Sequence, residues 1–188
     1  MKIKSIKNML FTMAILPVAI YANNFTKVLK LQDITFEITA SNNGSLNQLT
    51  IKPSGLKSSN EVIKKEIEGT VTGAQIADIN KDGSPEIYVY INSAGSGSYG
   101  SIVAYSANNK KSISEIYLPA IEDDKKNSVG YMGHDGFSII KNTLTREFPI
   151  YKQDDANCCP KGGTRKLEYK LLQGEAGWQL KVNKSTTH

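Results

Sequence analysis

The sequence predicts an all-β protein, an antiparallel β-sandwich of about eight or more short strands with protruding hairpin loops. Three observations carry that prediction. Apolar and polar residues alternate with period two in most apolar stretches, as in Ile34, Phe36 and Ile38 against Thr35, Glu37 and Thr39. Two stretches, EIYVYIN (86–92) and SIVAY (101–105), are dense in β-branched and aromatic residues. Turn-forming pairs and runs punctuate the chain at short intervals: Asp82-Gly83, Gly95 to Gly100, Asn108-Asn109, Gly162-Gly163 and Gly174.

Taken in order, the first strand opens at Ile34, and Leu49 and Ile51 continue the pattern beyond an Asn/Gly/Ser turn at 42–45. Residues 60–68, NEVIKKEIE, are open to two readings. Glu61 with Lys65 and Lys64 with Glu68 have helical spacing, with Gly69 as the stop; a twisted edge strand is the competing reading. Strands follow at 86–92 and 101–105, then at 112–118, 135–141, 144–151, 165–172 and 177–183. In the last of these Trp178, Leu180 and Val182 share one face. Residues 119–133 read as a long surface loop with at most one helical turn.

The N-terminus reads differently. MKIKSIKNMLFTMAILPVAIYA (1–22) places three lysines before an apolar run and ends on the small Ala22. That is the layout of a secretory signal peptide, and the run is shorter than the ~20 residues a bilayer span needs. The expectation is export to the periplasm or beyond, cleavage near Ala22, and a single domain over 23–188 with no membrane attachment. The formal charge of +5 comes from 23 basic and 18 acidic residues. Without Lys2, Lys4 and Lys7, 20 basic residues face the same 18 acids, leaving +2. Nothing in that balance points to nucleic acid or a lipid surface. Hydrophobic residues at 39% suffice for a core.

Two cysteines and two histidines are too few for a zinc site or a disulfide scaffold. Cys158 and Cys159 are adjacent, which leaves a vicinal disulfide, an intermolecular bond or free thiols.

Four stretches could carry chemistry. In Asp78-Ile-Asn80-Lys-Asp82-Gly83-Ser-Pro85-Glu86 the start follows the calcium-loop pattern D-x-[DN]-x-[DN]-G, but the twelfth position is Val89 where a bidentate Glu is wanted. A hairpin turn is the preferred reading; the alternative is a calcium-dependent glycan- or cell-wall-binding module using Asp78, Asn80 and Asp82. The second stretch, Ser93-Ala-Gly95-Ser96-Gly97-Ser98-Tyr99-Gly100, lies between two strands. It matches no phosphate-binding pattern and no G-x-S-x-G elbow. A hydrolase pairing Ser96 with His134 and Asp135 is poorly served, because adjacent residues cannot readily orient one another. A projecting loop with serine and tyrosine hydroxyls, able to donate and to accept, or a plain flexible hairpin, remains. The third, Gly130-Tyr131-Met132-Gly133-His134-Asp135-Gly136, is a turn or a second contact loop. In the fourth, Pro160 to Arg165, the arginine is expected to pair with an acid.

Together these stretches resemble a known family. IADINKDGSPEIYVYINSAGSGSYGSIVAYSANN, then GYMGHDGF, NTLTREFPIY and GGTRKLEYKLLQGEAGWQL, in that order, are similar to the periplasmic inhibitors of invertebrate-type (I-type) lysozyme of Gram-negative bacteria. The resemblance runs from about Glu66 to Val182. It implies a β-sandwich without enzymatic activity or cofactor, whose partner is a lysozyme. It further implies a Ser-Gly-x-Tyr signature at Ser96, Gly97, Ser98 and Tyr99. Ser96 and Tyr99 are then expected to enter the lysozyme cleft and hydrogen-bond its catalytic groups; Tyr131 and His134, on the separate 130–136 stretch, are candidate secondary contacts that the resemblance does not itself supply. The vicinal cysteines depart from the polar or small residues usual at that turn.

Overall fold

The computed structural model describes residues 24–188; the expected signal peptide at 1–22 lies outside the described residues. Apart from one 3-10 turn, the regular structure of the described chain is all strand, in two sheets. The first is four-stranded and antiparallel, in the order β1 (Phe25–Leu31), β2 (Ile34–Ala40), β3 (Leu46–Ser54) and β4 (Ile63–Glu68). The second comprises β5 (Thr70–Ala77), β6 (Glu86–Asn92), β7 (Gly100–Asn108), β8 (Ser112–Tyr117), β9 (Gly136–Ile140), β10 (Thr143–Pro149), β11 (Thr164–Gly174) and β12 (Gly177–Thr187). Its strand order is β5-β6-β7-β8-β12-β11-β10-β9. All pairings are antiparallel except a short parallel register of β8 on β12, at Trp178–Ile116 and Gln179–Tyr117. Among the described residues no helix is long and apolar enough to cross a membrane.

The all-β expectation therefore holds, with two refinements. The eight-stranded sheet curls until its edges β5 and β9 approach. Side chains rather than a ladder close the seam: Gln75 Oε1 accepts the Ile139 N–H at 2.8 Å and the Tyr90 hydroxyl at 2.8 Å. The molecule is thus a sandwich in which one layer is nearly a barrel. Two strands, β1 and β5, lie where the sequence showed no clean alternation. β1 has Val28 exposed and Leu29 inside, and β5 carries a bulge between Val71 and Gly73.

This architecture gives two cores. Between the sheets lie Ile34, Phe36, Ile38, Leu49, Ile51, Ile87, Val89, Ile91, Val103 and Tyr105. Inside the curled sheet lie Tyr88, Tyr90, Ala104, Leu144, Phe148, Leu167, Tyr169 and Leu180, with Trp178 and Val182 packed against them. Strand β6 is shared: Ile87, Val89 and Ile91 face one core, Tyr88 and Tyr90 the other. Alternate side chains of a strand point to opposite faces, so a central strand buried twice reads as a continuous apolar run.

Residues 60–68 resolve in favour of the edge strand. Ile63 and Ile67 of β4 face the inter-sheet core, and Lys64 and Glu66 on the other face point to water. Lys65 pairs not with Glu61 but with Glu115 of β8. Gly69 is not a helix stop. It is the corner where the chain leaves one sheet for the other, with φ +104° and a Cβ position 2.1 Å from the Asn92 carbonyl oxygen, which only glycine tolerates. The loop after β8 holds one 3-10 turn, Ile121–Asp123, as expected. Arg165 departs from expectation: its guanidinium donates to the carbonyls of Lys126 (3.2 Å) and Asn127 (2.9 Å), and no acid pairs with it among the described residues. Cys158 and Cys159 form the vicinal disulfide.

Candidate functional site

The β6–β7 connection, residues 93–99, is a closed hairpin tip. The Ser93 N–H donates to the Tyr99 carbonyl (2.9 Å), and the Tyr99 N–H donates back to Ser93 Oγ (2.9 Å). Within the tip the Ser98 N–H reaches the Gly95 carbonyl at 3.2 Å. Gly95 and Ser98 both have positive φ. Ser96 and Tyr99 stand exposed, and Tyr99 keeps 48% of its surface open to solvent. A Cβ on Gly97 would lie 2.5 Å from the Tyr99 ring, so glycine there lets the ring lie against the backbone.

A second loop braces the first. The His134 N–H donates to the Gly97 carbonyl at 2.7 Å. A Cβ on Gly133 would come within 2.1 Å of that same oxygen, and the residue has φ +84°. The Tyr99 and Tyr131 rings meet edge to face with centroids 5.8 Å apart, and Tyr131 meets Phe148 the same way at 4.9 Å.

Under both loops lies a buried ion pair. Asp135 and Arg146 are 2% and 4% exposed. Asp135 Oδ2 accepts Arg146 Nε–H at 2.5 Å; Oδ1 accepts the Gly100 N–H at 2.7 Å and the Tyr131 hydroxyl at 3.1 Å. Arg146 Nη2 also donates to the Tyr131 oxygen at 2.8 Å. The guanidinium carbon lies 5.0 Å from the Tyr131 ring centroid. Burial works against the Arg146 charge, but Asp135 and the tyrosines around it more than offset this and push its pKa up. Burial likewise pushes the Tyr131 phenol up, so it remains a neutral hydroxyl.

The structure thus divides the sequence-predicted residues. Ser96, Gly97, Ser98, Tyr99 and His134 form or adjoin the exposed tip. Tyr131 stands behind it as a support, its hydroxyl already engaged. Asp135 does not orient His134, because both its oxygens serve the ion pair, Gly100 and Tyr131, so the Ser96–His134–Asp135 triad is not assembled. Arg146 carried no local signal in the sequence; its role depends on a partner brought in from another strand. Exposed Met132 and Val129 on the second loop, 42% and 64% open, are apolar surface beside the site.

At the opposite end of β6 is the acidic turn. The Asp82 and Gly83 N–H groups donate to the Asp78 carboxylate at 3.0 Å each, and the Ser84 N–H donates to Asp82 Oδ1 at 2.8 Å. The Asn80 amide is turned onto Asp82, donating to Oδ2 at 2.9 Å. The third carboxylate at this turn comes from Glu86, wholly buried at the start of β6. Burial first, then the neighbouring charges of Asp78 and Asp82, push its pKa up to about 8, against the lowering effect of the Ile79 N–H.

No curated relative and no solved structure matches the chain. A family model does: periplasmic lysozyme inhibitor of I-type lysozyme, over residues 59–130. That span runs from just before β4 to the start of the bracing loop and includes the whole exposed tip and the acidic turn. The family consists of inhibitor proteins of the periplasm, not enzymes. Through residues 59–130, the resemblance read from the sequence is borne out: that stretch is similar to the periplasmic inhibitors of I-type lysozyme.

Proposed function

We propose that the hairpin tip is the inhibitory element, with Ser96 and Tyr99 entering the active-site cleft of an I-type lysozyme and so protecting bacterial peptidoglycan. A glycosidase keeps one carboxyl protonated and a second group ionised on either side of an open cleft. Serine and tyrosine hydroxyls donate and accept, so one tip can pair with both states. The tip has no glycosidic bond to cleave, and no chemistry follows.

The single observation that carries this reading is the exposed Tyr99 ring on a tip whose backbone is locked. Ser93, Gly97 and Gly100 tie it to its own strands and to the second loop through four hydrogen bonds of 2.7–2.9 Å. A tip ordered before binding loses little conformational freedom on docking. Tyr99 is the aromatic anchor, and Met132 and His134 lie where a rim would exclude water. The domain over 23–188, reached by removal of residues 1–22, is part of the same proposal.

The test is titration of the periplasmically purified protein against lysozymes of the I-type and of other types. Inhibition selective for the I-type enzyme, lost in the Ser96→Ala/Tyr99→Ala variant with unfolding unchanged, is expected. Undiminished inhibition by that variant overturns the assignment of the tip.

A further inference from the structure

We propose that the β5–β6 turn is a calcium site whose ligands are the carboxylates of Asp78, Asp82 and Glu86. One carboxylate oxygen from each of the three lies within 4.8 Å of the others. Alone, such a cluster is ordinary on an acidic turn. What sets it apart is Glu86: the side chain is 0% exposed, its Oε2 accepts the Ile79 N–H at 2.8 Å, and its Oε1 has no hydrogen-bond partner.

A buried carboxyl has two ways to satisfy that oxygen. Protonated, it must donate a hydrogen bond, and no acceptor is in place. Ionised, it sits beside two further carboxylates with no lysine or arginine paired to any of the three among the described residues. A divalent cation resolves both difficulties, supplying charge to all three acids and a partner for the orphaned oxygen.

The donor chemistry selects the cation. Every candidate ligand is a hard oxygen, with no cysteine or histidine in the cluster, which disfavours zinc and copper. Calcium accepts irregular shells of six to eight oxygens, whereas magnesium demands a near-octahedral one, and a tight turn facing a strand suits the former. The ligand set differs from that of the sequence pattern: Asn80 is occupied by Asp82, and Glu86, eight residues beyond Asp78, replaces it. Such an ion would pin the turn to the first residue of β6, the strand whose other end carries the tip.

Calorimetry and thermal unfolding on the periplasmically purified protein, stripped with EDTA and desalted, test this without lysozyme. The expected result is one calcium per chain with Kd below about 1 mM. At calcium a hundredfold above that Kd, Tm should rise by about 5 °C. Asp82→Asn is the informative variant, since Asp82 is exposed and the amide keeps an acceptor for the Ser84 N–H. It should fold and bind calcium at least about tenfold more weakly, and Glu86→Gln, if it folds, should do the same. No binding heat and no Tm shift up to about 10 mM calcium would overturn the proposal. So would binding that Asp82→Asn leaves intact, and an equal response to magnesium would overturn the choice of calcium.

Discussion

Replacing Tyr99 by Ala isolates the anchor of the proposed inhibitory tip. In the free protein the residue keeps 48% of its surface exposed, the remainder lying against Gly97, Gly133 and Tyr131. An aromatic side chain buries ~150–250 Å² when fully covered, so docking would newly cover ~100 Å² of this ring. At ~25 cal/mol per Å² that area contributes ~2.5 kcal/mol, or about a 70-fold change in Kd. The hydroxyl adds a smaller increment, so Tyr99→Phe should weaken inhibition only several-fold, by about 1 kcal/mol. The assay is residual activity of an I-type lysozyme on a peptidoglycan suspension, titrated with parent and variants, alongside urea unfolding of each. Losing the Tyr131 edge contact should lower stability by no more than about 1 kcal/mol. A folded Tyr99→Ala protein that inhibits within about threefold of the parent would rule out Tyr99 as the anchor, because removal of a buried anchor costs more than that.

Other outcomes follow from the mounting of the tip and from the N-terminus. Arg146→Met leaves the Asp135 carboxylate buried without its partner and should cost about 3–5 kcal/mol in urea unfolding; a loss below about 1 kcal/mol would contradict the role of the pair. Gly133→Ala places a methyl where the Gly97 carbonyl lies 2.1 Å away, at φ +84°. It should separate the two loops and weaken inhibition at least about tenfold while leaving both cores folded; parent-like inhibition would show that the second loop is not a brace. Intact-mass measurement of the protein recovered from the periplasm should show a chain beginning near Asn23, and retention of residues 1–22 would refute the export reading.

Much of the fold was legible because burial on one face leaves a period-two record. Ile34, Phe36 and Ile38 are each 0–1% exposed, as their alternation with polar neighbours implied. Legibility failed where that record is absent or ambiguous. NEVIKKEIE carries charges at helical spacing, yet Ile63 and Ile67 also suit a strand, and the neighbouring β3 decided between the two. In β5, small residues and a bulge at Gly73 erase the pattern. β6 was legible as a strand, but nothing in EIYVYIN said that its two faces would be buried in two different cores.

For the site, the tip was visible as glycines framing Ser96 and Tyr99, since local backbone freedom is written in local residues. The support beneath it was not. Asp135 and Arg146 become one buried pair only when β10 is laid beside β9, which sets Arg146 opposite Phe137. Glu86 was read as part of a turn motif, and nothing in that motif said that its side chain would be wholly buried with one oxygen unpartnered. The strand-rich class, the turns, the family likeness and the hydroxyl-bearing tip could all be read from the residues in order, because each depends on neighbours in the chain. The near-closure of the larger sheet, the ion pair that holds the tip and the complete burial of Glu86 arise from the folded arrangement alone. Those depend on which distant strands share a face, and the energy of a buried charge is set by that enclosure rather than by the residues beside it.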